Sequence, residues 1–219
     1  MIRAVEAATG ARRAAAAGLP CPRAPRDATA RELGAWRHRA LNPALHRALY
    51  RRVLDECGLP WPEAAQGLYD RHMSPAGWLT YSDAPDVLER LRAAGVRCGV
   101  VSNIGWDIRV PLAEAGLLRW LDTVVCSFEK GIRKPDPRLF EIACARLGTG
   151  PTRTLMVGDS PGSDTGGEPL GIRTVLVDPT PPPARPNALL GALATARMEM
   201  EVFQALANTC SRKSPASPA

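Results

Sequence analysis

Lysine is almost absent from this chain: Lys130, Lys134 and Lys213 are its only lysines, and the other 25 basic residues are arginines. With alanine so abundant, that bias follows from codon usage as easily as from function. Aromatic residues are scarce as well, at 5%. Trp36 and Tyr50 stand isolated among arginines at 37, 39, 47, 51 and 52 that spread around a helix, so no base-stacking platform is expected and a nucleic-acid partner is excluded. The three histidines, His38, His46 and His72, lack metal-ligand spacing. The six cysteines, at 21, 57, 98, 126, 144 and 210, include no CxxC pair and are too few for a disulfide scaffold, and so read as reduced, mostly buried residues of a cytoplasmic protein. No run approaches the length of a membrane-spanning helix, and the start lacks the apolar core of a secretory signal. It is Arg/Ala-rich like a transit peptide, yet holds no serine in residues 1–26. The expectation is a soluble chain with no membrane partner.

What is present suffices for a folded domain: 219 residues, 45% apolar, with a net charge of +6. The charge is unevenly placed. Residues 1–52 carry 11 arginines against Glu6, Asp27 and Glu32, a local excess of eight, which leaves the rest slightly acidic.

Residues 1–80 read as helical, broken by a Pro-rich stretch from Leu19 to Pro25. A long helix is expected from about Thr29 to Cys57, capped by Asp27 or Thr29, broken or bent at Pro43 and ended by Gly58-Leu59-Pro60. A shorter one is expected over Glu63 to His72. From Asp83 the pattern becomes an alternation of amphipathic helices with short β-rich runs. Strands are expected at Val96–Val101, Thr123–Cys126, Thr154–Val157 and Thr174–Val177, and helices at Asp86–Arg92, Ile108–Ala115, Pro137–Leu147 and Glu168–Leu170. Such alternation predicts an α/β fold with a doubly wound parallel sheet. After Asp178 come a Pro-rich linker, a helix over Ala188–Ala207 and a disordered tail from Ser211.

Ligands of open parallel sheets sit beyond the carboxyl ends of the strands. There this chain places Ser102-Asn103, Lys134-Pro135, and Gly158-Asp159-Ser160 with Asp164 five residues after Asp159. A hydroxyl, an amide, an ammonium and two carboxylates suit phosphoryl transfer: the first two donate to phosphate oxygens, the ammonium offsets charge, and the carboxylates hold Mg²⁺. Taken singly, each has a plainer use as a strand-end cap, a solvated lysine or a turn residue. It is their joint occurrence in this order that carries weight.

Val100-Val101-Ser102-Asn103, Gly131 to Pro137 and Val157 to Asp164 resemble the second, third and fourth motifs of the haloacid dehalogenase (HAD) superfamily of hydrolases. The likeness covers about Trp78 to Asp178, and the helices before it resemble the family's C1 cap. It implies a Rossmann-like core with an N-terminal helical cap, divided as a cap at 1–80, a core at 81–178 and a linker, helix and tail at 179–219. It also implies catalytic and phosphate-binding roles for Ser102 and Lys134, phosphate binding by Asn103, and Mg²⁺ bound by Asp159 with Asp164 in support. The substrate would be a small phosphorylated metabolite, drawn by a basic cap; a 2-haloacid dehalogenase and a non-catalytic phosphate- or Mg²⁺-binding relative are the alternatives. Trp61, Trp78, Trp106 and Trp120 are read as packing residues, with a place for Trp106 at the substrate entrance left open.

Two departures stand out. The family's first motif, DxDGT or DxSGT, carries the nucleophilic Asp at the end of a strand central to the sheet, and nothing like it precedes the cap. The chain as written is therefore expected to be inactive and to fold poorly, its start lying downstream of the true one by about 15 to 25 residues, the size of a strand and turn. The second departure is Thr165-Gly166-Gly167-Glu168, whose extra glycine, with Pro169, weakens the helix expected there.

Overall fold

The computed structural model describes residues 24–58, 61, 63–178 and 187–197. The linker from 179 to 186, the tail from Ser211 and most of the Pro-rich break after Leu19 lie outside those residues. Three helices open the fold: α1 (Ala30–His38), α2 (Pro43–Asp55) and α3 (Ala64–Met73). Thr29 starts α1 with a reciprocal cap, its hydroxyl accepting from Glu32 N at 3.3 Å while the Glu32 carboxylate accepts from Thr29 N at 2.8 Å. The helical stretch expected from Thr29 to Cys57, with a break or bend at Pro43, is two helices that part just before Pro43. Asn42 is extended, its side chain accepts from Leu45 N at 3.0 Å, and Pro43 opens α2 at a position where a missing N–H costs nothing.

The α/β portion runs α4 (Ala84–Ala93), β1 (Gly99–Ser102), α5 (Arg109–Glu114), β2 (Thr123–Cys126), α6 (Ser127–Lys130), α7 (Pro137–Leu147), β3 (Leu155–Gly158), α8 (Pro161–Asp164) and β4 (Arg173–Leu176). Strand β1 pairs in parallel with β2, Val100 opposite Val124, and β3 pairs in parallel with β4, Met156 opposite Thr174. Helices cover both faces. On one side α7 spans the two pairs, with Leu139 and Ala143 against Val101 and Val125, and Phe140 and Cys144 against Met156 and Ile172. On the other, Val100, Val124, Leu155, Val157 and Val175 share one core with Ile108, Leu112 and Leu189. This is the α/β layering predicted from the alternation, of the Rossmann-like kind that the resemblance implied.

Among the described residues the sheet is split: β1 and β3 do not pair with each other. Between them lies an apolar cleft lined by Gly99, Val101, Ala143, Cys144, Leu155 and Met156, with a void of ≈ 20 Å³. Thus the layer is shared, but its hydrogen-bond ladder is interrupted at the middle.

Helical residues 188–197 close the core by burying Leu189, Ala192 and Ala196. Their start is held by Asp83, more than 100 positions earlier, whose carboxylate accepts from Leu189 N at 2.9 Å and Leu190 N at 3.0 Å. Arg173 donates to Ala196 O near the other end. Asp83→Ala strips two amides of their acceptor in a buried setting and is expected to cost about 1–3 kcal/mol in urea unfolding. Asp83→Asn, which keeps one acceptor oxygen, should lose less.

Four cysteines fall among the described residues and all are free: Cys57 is exposed, whereas Cys98, Cys126 and Cys144 are buried. Of the tryptophans, Trp78 and Trp106 pack edge to face at 5.4 Å. Trp61 does not pack as expected; it stands 68% exposed.

Candidate active site

Three loops meet at the carboxyl ends of β1, β2 and β3. Asn103 joins the first two: its Nδ2 donates to Lys134 O at 2.9 Å and its Oδ1 accepts from Lys134 N at 2.7 Å. The amide expected to bind phosphate thus spends one donor and its acceptor on the backbone of the lysine. That fixes where Lys134 starts from, and Asp164 fixes where it ends, since Lys134 Nζ donates to Asp164 Oδ1 at 2.7 Å with side-chain exposures of 6% and 4%. Asp164 Oδ2 accepts from Ser160 N at 2.8 Å, which ties the same carboxylate to its own loop.

Small residues permit this closeness. A Cβ on Gly158 would lie 2.2 Å from Asp164 Oδ2, and one on Gly166 would lie 2.1 Å from Pro135 O. Gly166 is one of the two glycines that read in the sequence as a weakened helix. Residues Thr165–Leu170 do form a 3₁₀ segment rather than an α-helix, and the bare backbone there lets the β3 loop press against the Lys134-Pro135 loop.

Ser102 ends β1, immediately before Asn103, and is half-buried; Asp159 is half-buried between Gly158 and Ser160. The five residues singled out from the sequence are therefore linked by chain neighbours and hydrogen bonds into one locus. Behind it, Arg109 braces the β1 loop, donating to Asp107 Oδ1 at 2.9 Å, Glu129 Oε1 at 2.6 Å and Val124 O at 3.0 Å.

As a chemical set, the strand ends hold a buried ammonium paired with the Asp164 carboxylate, together with the Ser102 hydroxyl and the Asp159 carboxylate. No three His, Cys, Asp or Glu side chains converge as a metal site among the described residues. Mg²⁺, however, commonly takes only one or two carboxylates and fills its shell with water and substrate phosphate. Asp159 fits that use. Asp164, with both oxygens engaged, fits a supporting one. Burial pushes the thiol of Cys126, at the end of β2, up to about 11 and that of Cys98, just before β1, up to about 12, so both favour the protonated thiol near pH 7.

The helical segment reaches this locus through a ladder of rings that the sequence did not disclose. Trp36 stacks on Tyr50 at 5.6 Å, Tyr50 on His46 at 4.2 Å and on His72 at 5.2 Å, and His72 lies 6.0 Å from Trp78, which meets Trp106. Trp36 and Tyr50, isolated in sequence, are thus partners inside the fold. His46 is buried against Gly105, where an added Cβ would come within 2.8 Å of both His46 Cβ and Arg39 O. Burial, then the neighbouring His72 and Arg39, lowers the His46 pKa to about 3, and burial lowers that of His72. Both imidazoles are therefore neutral near pH 7.

Fold and loops together define a Rossmann-like α/β protein with a cluster of polar and charged side chains at its strand ends. Residues 26–167 match the haloacid dehalogenase-like hydrolase family, and the chain belongs to that family. It is 36% identical over 152 residues to phosphoserine phosphatase of Thermus thermophilus, spanning 66% of this chain and 61% of that one. It is 35% identical over 119 residues to (S)-2-haloacid dehalogenase 4A of Burkholderia cepacia, spanning 53% and 51%. A dehalogenase crystal structure superposes with a TM-score of 0.62 at 23% identity, covering 81% of this chain and 84% of that one, a likeness of fold. The chain spans about half to three-fifths of the length of the two curated relatives. Among the described residues, no helix is long and apolar enough to cross a membrane.

Proposed function

We propose that this chain is the cap and most of the core of a Mg²⁺-dependent cytoplasmic phosphatase of a small phosphorylated metabolite, with the cap at 1–80, the core at 81–178 and the tail at 179–219. The observation that carries the reading is the buried Lys134–Asp164 pair, stitched through Asn103 to the end of β1. In this reading the Ser102 hydroxyl donates to a phosphate oxygen, and the second Nδ2 hydrogen of Asn103 serves the same anion. Lys134 offsets its charge while Asp164 holds the ammonium in place. Asp159 is the carboxylate for Mg²⁺, which would supply further charge stabilisation when bound. Two carboxylates at 159 and 164 favour phosphate over haloacid chemistry, and both chemistries occur among the relatives.

Covalent catalysis needs one more carboxylate. The interrupted ladder between β1 and β3 supports a further parallel strand there, bearing the nucleophilic Asp at its end, supplied upstream of Met1. The lack of a DxD or DxS sequence before the cap is what favours the second reading, a binding-only relative. Turnover of p-nitrophenyl phosphate with Mg²⁺ discriminates between them. The 219-residue chain should give none, and a chain extended in frame through an apolar strand ending in Asp should turn over and lose activity on Asp159→Ala. Turnover by the unextended chain that Asp159→Ala abolishes would demand another nucleophile. An inert extended chain would favour binding only, and release of chloride from 2-chloropropionate would mark the dehalogenase.

A further inference from the structure

Ser127 is fully buried at the start of α6, outside every motif considered above. Its Oγ accepts from Ile104 N at 2.9 Å. The hydroxyl has one proton and two carbonyl oxygens within reach, Ala40 O at 2.7 Å and Ile104 O at 3.1 Å. Ala40 belongs to the 3₁₀ turn Arg39–Leu41 that joins α1 to α2, while Ile104 follows Ser102-Asn103 directly. The next residue, Gly105, is the one on which Arg39 O and His46 rest. One serine thus contacts both the helical segment and the loop that carries the candidate phosphate ligands.

We propose that Ser127 is a releasable latch, a positioning residue that holds the seated cap through Ala40 O and supports the Ser102-Asn103 loop through Ile104 whether or not the cap is docked. The importance of that loop to a substrate rests on the function proposed above; the latch itself rests on the hydrogen bonds. With the cap seated, the proton goes to the nearer acceptor, Ala40 O. With the cap lifted, it turns to Ile104 O, and the hydroxyl still accepts from Ile104 N. Opening therefore strands no buried donor at Ser127, and the bond given up is the one to the cap. Asn103, whose amide is fixed to Lys134, passes any shift of Ile104 to the lysine. The device lets the cap open and close while the loop retains one constant support.

Hydrogen exchange of the full chain and of two variants, read by mass spectrometry, tests this. In the parent the Ile104 amide should be protected. Ser127→Ala should speed its exchange roughly tenfold, the scale of one lost buried hydrogen bond, and should also speed exchange over residues 36–46, because helices as short as α1 and α2 are marginal when undocked. Gly105→Ala, whose Cβ would press on Arg39 O and His46, should speed residues 36–46 but leave Ile104 protected. Ser127→Cys, similar in size with a weak donor and acceptor, should fall between parent and Ser127→Ala. Unchanged exchange in α7 certifies that the core of each variant is folded. The latch is overturned if the parent Ile104 amide is unprotected, if Ser127→Ala leaves it unchanged, or if Gly105→Ala exposes it as fully as Ser127→Ala does. None of these readouts needs turnover, so an inert phosphatase assay leaves the latch standing, and a failed latch leaves the phosphatase reading standing.

Discussion

Asp164→Ala should cost about 3–5 kcal/mol of stability in urea unfolding, and Lys134→Met should cost a similar amount, because each leaves the other's charge buried without its partner. The two side chains are almost wholly enclosed and meet at 2.7 Å, so little water is at hand to screen the charge left behind. Asp164→Ala has a second effect, the loss of the acceptor for Ser160 N. Asp164→Asn keeps the shape but offers a single acceptor oxygen in place of two and no charge, so either the bond from Lys134 Nζ or that from Ser160 N is given up, and most of the loss should remain. The double variant Lys134→Met/Asp164→Leu is the informative one. Buried pairs replaced by apolar groups of similar size are often near neutral, so the double variant should be more stable than either single variant, retaining chiefly the cost of the bare Ser160 amide. A double variant whose loss equals the sum of the singles would show that the pair does not act as a unit. On the function proposed above, the double variant, lacking the ammonium, should bind inorganic phosphate no better than Lys134→Met. That reading gives the pair a role through its position at the strand ends.

That position was legible in the sequence because the signals were local. β2 and α7 lie where alternation, Pro137 and Gly148 put them, and Gly148 ends α7 with a φ of +57°. Other boundaries were settled by distant partners. β1 begins at Gly99 rather than Val96 because the residues before it are already engaged: Val96 N bonds back to Leu91 O and Cys98 N to the Asp122 carboxylate. Pro43 looked like an interruption and proved a start, since Asn42 just before it supplies the cap. Of the site, residue types and strand-end placement were readable, but the use of each group was not. Nothing near Asn103 shows that its amide faces the backbone of Lys134, 31 residues away, or that Gly166 must yield space to Pro135. Nothing in the sequence disclosed the contacts of Ser127 and Asp83, each holding a segment more than 80 residues distant. Trp61 is apolar by type, and nothing in the structure explains its exposure.

Acid should weaken the packing of the opening helices. His46 has a pKa lowered to about 3 in the folded chain, first by burial, against an ordinary value of 6.5, and that of His72 is lowered by burial as well. A base with a depressed pKa is held neutral by the fold. Its contribution is complete above about pH 6.5 and declines as pH falls toward the folded value, because over that interval the unfolded chain binds protons that the folded chain refuses. Near pH 5 the loss from His46 alone should be about 2 kcal/mol, by the linkage of roughly 1.4 kcal/mol per pH unit. The alternatives to refusal are costly: an imidazolium at 46 would stack on Tyr50 beside His72 and near the Arg39 guanidinium, and no carboxylate is among the groups that shift its pKa. Urea midpoints measured from pH 7.5 to 5 should therefore fall in the parent and fall less steeply in His46→Gln, which keeps a polar group toward Tyr69 but does not titrate. Cys98 and Cys126, with thiols raised toward alkaline values, add nothing to this slope in the acid range, so the difference between parent and variant isolates the ring ladder. Parallel slopes in the two proteins would mean that His46 is reached by solvent and that the ladder is looser than its 4.2 Å stack on Tyr50 implies.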